Sequence, residues 1–182
     1  MLFQQGMDIF GQANIFMRIG SIKKVIFVIG VSGCGKTSVG QLLAEDLSVP
    51  FIDADDHHPA SNIEKMSLGI PLNDGDREPW LDKLNEIAKC HLNSGCVIAC
   101  SALKEIYRER LSRSIESYVR WFYLKGSYDL IFDRMKKRQD HYMGSGMLKS
   151  QFETLEEPEY AISINIENPL EEIVRKIKSL IK

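Results

Sequence analysis

A chain of 182 residues, 44% hydrophobic and 26% charged, is long enough to close one sizeable core and too short for several. Its net charge of −2 excludes a broadly basic nucleic-acid or membrane surface, so cations serving an anionic ligand must be concentrated locally. Cys34, Cys90, Cys96 and Cys100 show no C-x-x-C pairing, so reduced thiols are expected, with no disulfide framework and no zinc site.

Residues 1–20 scatter Leu2, Phe3, Ile9, Phe10, Ile15, Phe16 and Ile19 among Gln, Gly and Asn. Their pattern predicts neither a secretory signal nor a membrane span, but a weakly packed extension ahead of a domain over 21–182. A start at Met17 would remove it without touching the fold. Val25 to Ile29 is a continuous β-branched and aromatic run, the mark of a strand buried on both faces. Gly30, Val31, Ser32, Gly33, Cys34, Gly35, Lys36 and Thr37 then complete a G-x-x-x-x-G-K-[ST] loop, and Val39, Leu42, Leu43 and Leu47 follow at helical spacing. Strand, glycine turn and helix are the setting in which backbone N–H groups, through Ser38, wrap phosphate oxygens. Lys36 is placed to reach the β- and γ-phosphates, and the Thr37 hydroxyl to ligate magnesium.

A second strand is predicted over 49–53, closing on Asp53-Ala54-Asp55. Period-two alternation puts both carboxylates on one side, one suited to hydrated magnesium and the other to a proton from an attacking hydroxyl. The competing reading is solvated loop acids or a helix cap. His57 and His58 lack further ligands at zinc-like spacing, and His58, restrained by Pro59, suits the polar wall of a pocket. Asn73 to Trp80 is a dense polar turn in which Arg77 is either a bidentate anion binder or part of a turn whose acids cap a helix.

The helical period from Pro79 to Leu92 puts Pro79 in a first turn. A third strand, 96–100, leads through Ser101 to Lys104, which opens a helical stretch running to Ser117. A cation there opposes the helix dipole unless an anion neutralises it. Further strands are predicted over 119–124 and 161–166, and helices over 127–139 and 169–181, with Pro169 in a first turn. Arg134 and Arg138 stand four apart, with Lys136, Lys137 and His141 nearby and Gly144 and Gly146 beyond. They read either as lid cations for a transferring phosphoryl group or as a solvated basic helix end. Trp80 and Trp121 read as packing residues. The alternation predicts an α/β fold: a doubly wound, parallel, five-stranded sheet of the P-loop NTPase type. It carries a substrate-binding insertion at about 55–78 and a lid at about 134–150.

With these stretches in view, GVSGCGKTS, FIDADDHHP to NIEKM, GIPLNDGDREPWL, CSALKEIYRERL, FYLKG, RMKKRQDHYM and SQFETLEEP, the chain closely resembles the small P-loop gluconate kinases. These are relatives of the shikimate and nucleoside-monophosphate kinases. The resemblance covers most of residues 25–158. It implies ATP-dependent phosphorylation of D-gluconate to 6-phosphogluconate with Mg²⁺, and family members are often homodimers; the reduced thiols suit the cytoplasm. Carried over, Gly30 to Ser38 bind ATP, and Thr37 and Asp53 support the metal. Asp55 is the base, Lys36, Arg134 and Arg138 offset charge, and His58, Arg77 and Lys104 contact the sugar acid together with Asp55. Cys34 stands where the family usually has Ser, which suggests sensitivity to thiol oxidants. Gly75 stands where an acid is common, and residues 1–20 are extra.

The rival enzyme is a kinase for another small hydroxy acid such as shikimate, from which the Asn73–Trp80 segment departs. A GTPase-type switch lacks its N-K-x-D motif, and the only D-x-x-G, Asp8 to Gly11, precedes the loop. A module that binds ATP without catalysis would leave the polar groups without a purpose.

Overall fold

The structure, a computed structural model, describes residues 23–137 and 145–181. The five predicted strands form: β1 (Val25–Ile29), β2 (Phe51–Asp53), β3 (Cys96–Cys100), β4 (Val119–Lys125) and β5 (Ile162–Asn165). They make one parallel sheet in the order β2-β3-β1-β4-β5, with β1 central. With a strand on each side and helices on both faces, all five of its residues are buried.

Alternate residues of β1 feed two cores. Val25, Phe27 and Ile29 pack with Trp80, Leu81, Leu84 and Ala88 of α3 (Asp74–Cys90) and with Tyr107 and Leu111 of α4 (Glu105–Ser112). Ile26 and Val28 face the other way, towards Val39 and Leu43 of α1 (Lys36–Leu47), Ile131 of α5 (Tyr128–Lys136), and Ile173, Val174 and Ile177 of α7 (Leu170–Leu180). The sheet is thus covered on both faces, the doubly wound arrangement. The remaining described α-helices are α2 (Ala60–Ser67), tied through Asn62 to Asp76 of α3, and α6 (Ser145–Thr154), tied through Gln151 to the loop after β1. Among the described residues no helix is long and apolar enough to cross a membrane.

Helix boundaries differ from expectation in several places, three of them informative. α3 begins at Asp74, not Pro79, because Asn73 and Asp76 form a reciprocal capping box that starts the helix earlier and leaves Pro79 inside it. Pro169 is the N-cap of α7 and not a first-turn residue. α4 ends at Ser112: the buried Asn85 side chain takes the carbonyls of Leu111 (2.8 Å) and Arg113 (3.1 Å), and Ser114 turns left-handed at φ 68°. The extension at 1–20 lies outside the described residues.

Candidate functional site

The strand ends place the chemistry. β1 stops at Ile29 and β3 at Cys100 in register, and the Gly30 N–H bonds the Ser101 carbonyl at 3.4 Å. The phosphate loop therefore opens at the sheet's centre, where ligands of doubly wound folds gather. Its glycines adopt positive φ, and two of them show why. Gly33 has φ +82°, and a Cβ there would come within 2.6 Å of Met135 Cγ on α5. Gly35 has φ +102° and caps α1 with no side-chain bond. The N–H groups of Gly35, Thr37 and Ser38 have no backbone partner among the described residues, and that of Lys36 faces the Cys34 sulfur. These donors, at the positive end of a helix dipole, make an anion cradle. The Lys36 ammonium bends across the loop to the Val31 carbonyl at 3.1 Å.

β2 delivers the acids. Asp53 Oδ2 accepts from Thr37 Oγ1 at 3.0 Å, and Asp53 Oδ1 accepts from the Asp55 N–H at 3.2 Å. Asp55 is not on an extended strand, as alternation implied. It belongs to a 3-10 turn, Ala54–His57, which Asp53 caps. The turn, not the pleat, brings the two carboxylates to the same cleft. One side of Asp55 meets solvent, yet the surrounding walls displace enough water to raise its carboxyl above the ordinary range. The neighbouring Asp53 charge adds to the rise, while Lys36 and His58 oppose it.

His58 stacks on the Trp80 ring at 4.2 Å and 13°, and the Trp80 Nε1–H donates to the Ala54 carbonyl at 2.7 Å. Burial lowers the imidazole below its usual value, against the pull of Asp55 and with the help of Arg77. The shift favours the neutral imidazole. The 55–78 segment is pinned down through Asn62, which is 2% exposed and donates to the Asp76 carbonyl at 2.8 Å, and through a Lys65–Asp76 ion pair at 2.6 Å.

Arg77 donates to the Leu72 carbonyl and lies 5.7 Å from the Tyr107 ring centroid. Lys104 approaches the same ring at 5.6 Å and holds both Asp74 oxygens at 2.8 Å. The Tyr107 hydroxyl donates to Asp74 as well. The dipole conflict expected at Lys104 is thus relieved by a protein carboxylate: Lys104 is the N-cap of α4, and its charge is turned onto Asp74. Lys36, Asp55, His58 and Arg77 each act electrostatically on the next, so the structure brings together the predicted residues of the cleft. Arg134 is near enough for its charge to act on Cys34, while its Nη2 donates to the Ile166 carbonyl at 2.7 Å. Arg138 lies outside the described residues.

Cys34 corrects one expectation. Its side chain is 2% exposed, and burial raises the thiol above its ordinary value, so it is covered and protonated instead of oxidant-sensitive. Asp74, Tyr107, Arg108 and Gln151 carry roles that the sequence did not assign. Their stretches were visible, but only long-range contacts reveal what each one holds. A cavity of about 390 Å³ beneath α4, lined by Glu109, Trp121 and Tyr160 among others, includes none of the cleft residues above.

Thr37 and Asp53 offer one hydroxyl and one carboxylate oxygen, hard donors of the kind a hydrated Mg²⁺ takes beside substrate phosphates. Among the described residues no cluster of three or more His, Cys, Asp or Glu could hold a metal on its own. Loop, paired Thr and Asp, and a basic carboxylate on this sheet define a P-loop kinase of the small-molecule type. The shikimate kinase family model matches residues 32–180. The thermoresistant gluconokinase of Escherichia coli (strain K12) is 42% identical over 164 residues, 87% of this chain and 93% of that one. The thermosensitive gluconokinase of the same organism is 48% identical over 134 residues, 72% and 71% of the two chains. The crystal structure of a gluconokinase from Sinorhizobium meliloti 1021 superposes with a TM-score of 0.81 at 41% identity, covering 88% of this chain and 92% of that one. The chain belongs to the shikimate kinase-like P-loop kinases and, within them, to the gluconokinase family.

Proposed function

We propose that this chain transfers the γ-phosphoryl group of ATP to D-gluconate, giving 6-phospho-D-gluconate and ADP. The observation that carries the reading is the meeting of the phosphate loop, the Thr37–Asp53 pair and Asp55 in one cleft of a gluconokinase-family chain. Bound with ATP, Mg²⁺ would neutralise phosphate charge, with Thr37 and Asp53 as its protein contacts.

The chain's own residues then divide the work. The N–H groups of Gly35 to Ser38 grip phosphate, and Lys36 swings from the Val31 carbonyl onto the terminal phosphates. Asp55, more basic than an ordinary carboxylate, accepts the proton of the gluconate hydroxyl as its oxygen bonds to the γ-phosphorus. The bond from that phosphorus to the bridging oxygen breaks, and ADP departs with the electron pair. His58, Arg77 and Lys104 bind the sugar acid, with Arg77 and Lys104 suited to its carboxylate. Arg134 and Arg138 offset charge on the moving phosphoryl group. The reading carries a cytoplasmic site of action and a homodimer.

The test is ADP release coupled to a spectrophotometric readout across a panel of sugar acids and shikimate. Gluconate is expected to give the highest kcat/KM, with Lys36→Ala silent. A flat response to gluconate, or a preference for shikimate, would overturn the substrate assignment.

A further inference from the structure

The outer arm of the phosphate loop is held by a residue far along the chain. Gln151, on α6, meets Ser32 twice: its Oε1 accepts the Ser32 N–H at 2.6 Å, and its Nε2 donates to Ser32 Oγ at 2.9 Å. The orientation of the carboxamide is forced, because a backbone N–H can only donate and so must face the oxygen. Ser32 Oγ is thereby the acceptor from Gln151, and its own proton is left to donate elsewhere.

Gln151 is a fixed point. It is half-buried on a helix whose Leu148 is fully buried and whose Phe152 packs edge-on against Tyr128 of α5 at 5.6 Å. The donors at the start of α1 belong to the helix and need no help from α6. Ser32 lies on the opposite arm, beside Val31, whose carbonyl receives the Lys36 ammonium. Since that ammonium serves the β- and γ-phosphates, the Ser32 arm borders the end of the nucleotide that is transferred.

We propose that Gln151 is a positioning residue for phosphoryl transfer. It locks the Ser32 arm against the terminal phosphate and commits the Ser32 hydroxyl to donating towards it. The inference rests on the chain being an ATP-dependent kinase, yet its main readout needs no sugar acid.

Binding of a β,γ-imido ATP analogue and of ADP is measured by calorimetry, with Mg²⁺, on wild type, Gln151→Ala, Gln151→Met, Ser32→Ala and the Ser32→Ala/Gln151→Ala double variant. Gln151→Met fills the same space without hydrogen bonds, and Lys149→Ala on the exposed face of α6 is the control. Both Gln151 variants are expected to bind the analogue about tenfold more weakly and ADP within about twofold of wild type. Their kcat with gluconate falls by about tenfold or more, the scale of a small misplacement of reacting groups. The double variant is expected to be no worse than the poorer single variant. Equal losses for ADP and the analogue would reduce Gln151 to a structural brace. Wild-type behaviour of Gln151→Met, or strictly additive losses in the double variant, would also overturn the proposal. Absence of gluconate-dependent turnover in the wild type would instead strike the substrate assignment, leaving the binding comparison intact.

Discussion

Asp55 illustrates how a single side chain is tuned against the fold that carries it. Its folded carboxyl lies above the ordinary value, chiefly through burial, so the folded state holds the proton more tightly than the unfolded chain. The sign follows from linkage: this contribution favours folding on the acid side and is lost as pH rises through the raised value. At neutral pH the ionised group costs stability and supplies basicity. Asp55→Asn is therefore expected to melt at a higher temperature than wild type while losing about 10²- to 10⁴-fold in turnover, the usual span for a general base. Thermal melts and kcat measured on one preparation check both halves. In the wild type the acid limb of kcat should lie above the range of an ordinary carboxylate. An unchanged kcat in Asp55→Asn would remove it as the base.

At the scale of elements, Arg108 ties the exit of β3 to the chain beyond α6. Only 1% exposed, it donates through Nη1 to the carbonyls of Ala102 (2.8 Å) and Leu103 (3.0 Å). Through Nη2 it donates to Glu105 (2.7 Å) and to the Glu156 carbonyl (2.9 Å), and its Nε–H donates to the Tyr160 hydroxyl at 2.9 Å. Ala102 sits at φ 42°, a conformation that a non-glycine residue keeps only when its surroundings hold it. Arg108→Met leaves these carbonyls without a donor in a dry site. It is expected to cost about 3 kcal/mol in urea unfolding, in line with truncating one partner of a buried charged network. The same variant should weaken catalysis, since Ser101 to Leu103 lead from β3 to Lys104, proposed above to bind the sugar acid. A stability change within error would contradict this account of the segment.

For the whole molecule, the cleft is a seam between the carboxyl end of the sheet, α1, the 55–78 segment and the start of α4. A nucleotide bound there engages only the folded state and must raise stability by mass action, about 2.7 kcal/mol at a hundredfold excess over Kd. ATP with Mg²⁺ should therefore raise the melting temperature of the wild type. Chelating the metal with EDTA should remove much of the rise, and Lys36→Ala should blunt it. Differential scanning fluorimetry reads all three. An equal rise with and without chelator would contradict metal support by Thr37 and Asp53.

Read alone, the sequence determined the strands, the phosphate loop and the α/β winding. Buried parallel strands are written as unbroken apolar runs, and glycines with positive φ are local requirements at fixed spacing. It also marked Asp53, Asp55 and Lys104, because polar residues just after strands end at the ligand face, and singled out His58 for its restraint by Pro59 and Arg77 for the dense polar turn around it. What each of them touches was decided only by the tertiary structure. The turn that aims Asp55, the Asp74 carboxylate that receives Lys104, the burial that quiets Cys34 and the hold of Gln151 on Ser32 join residues up to 119 positions apart. Contacts across such separations, and the loss of water that shifts a carboxyl or thiol, arise only once both cores close, and no local pattern encodes them.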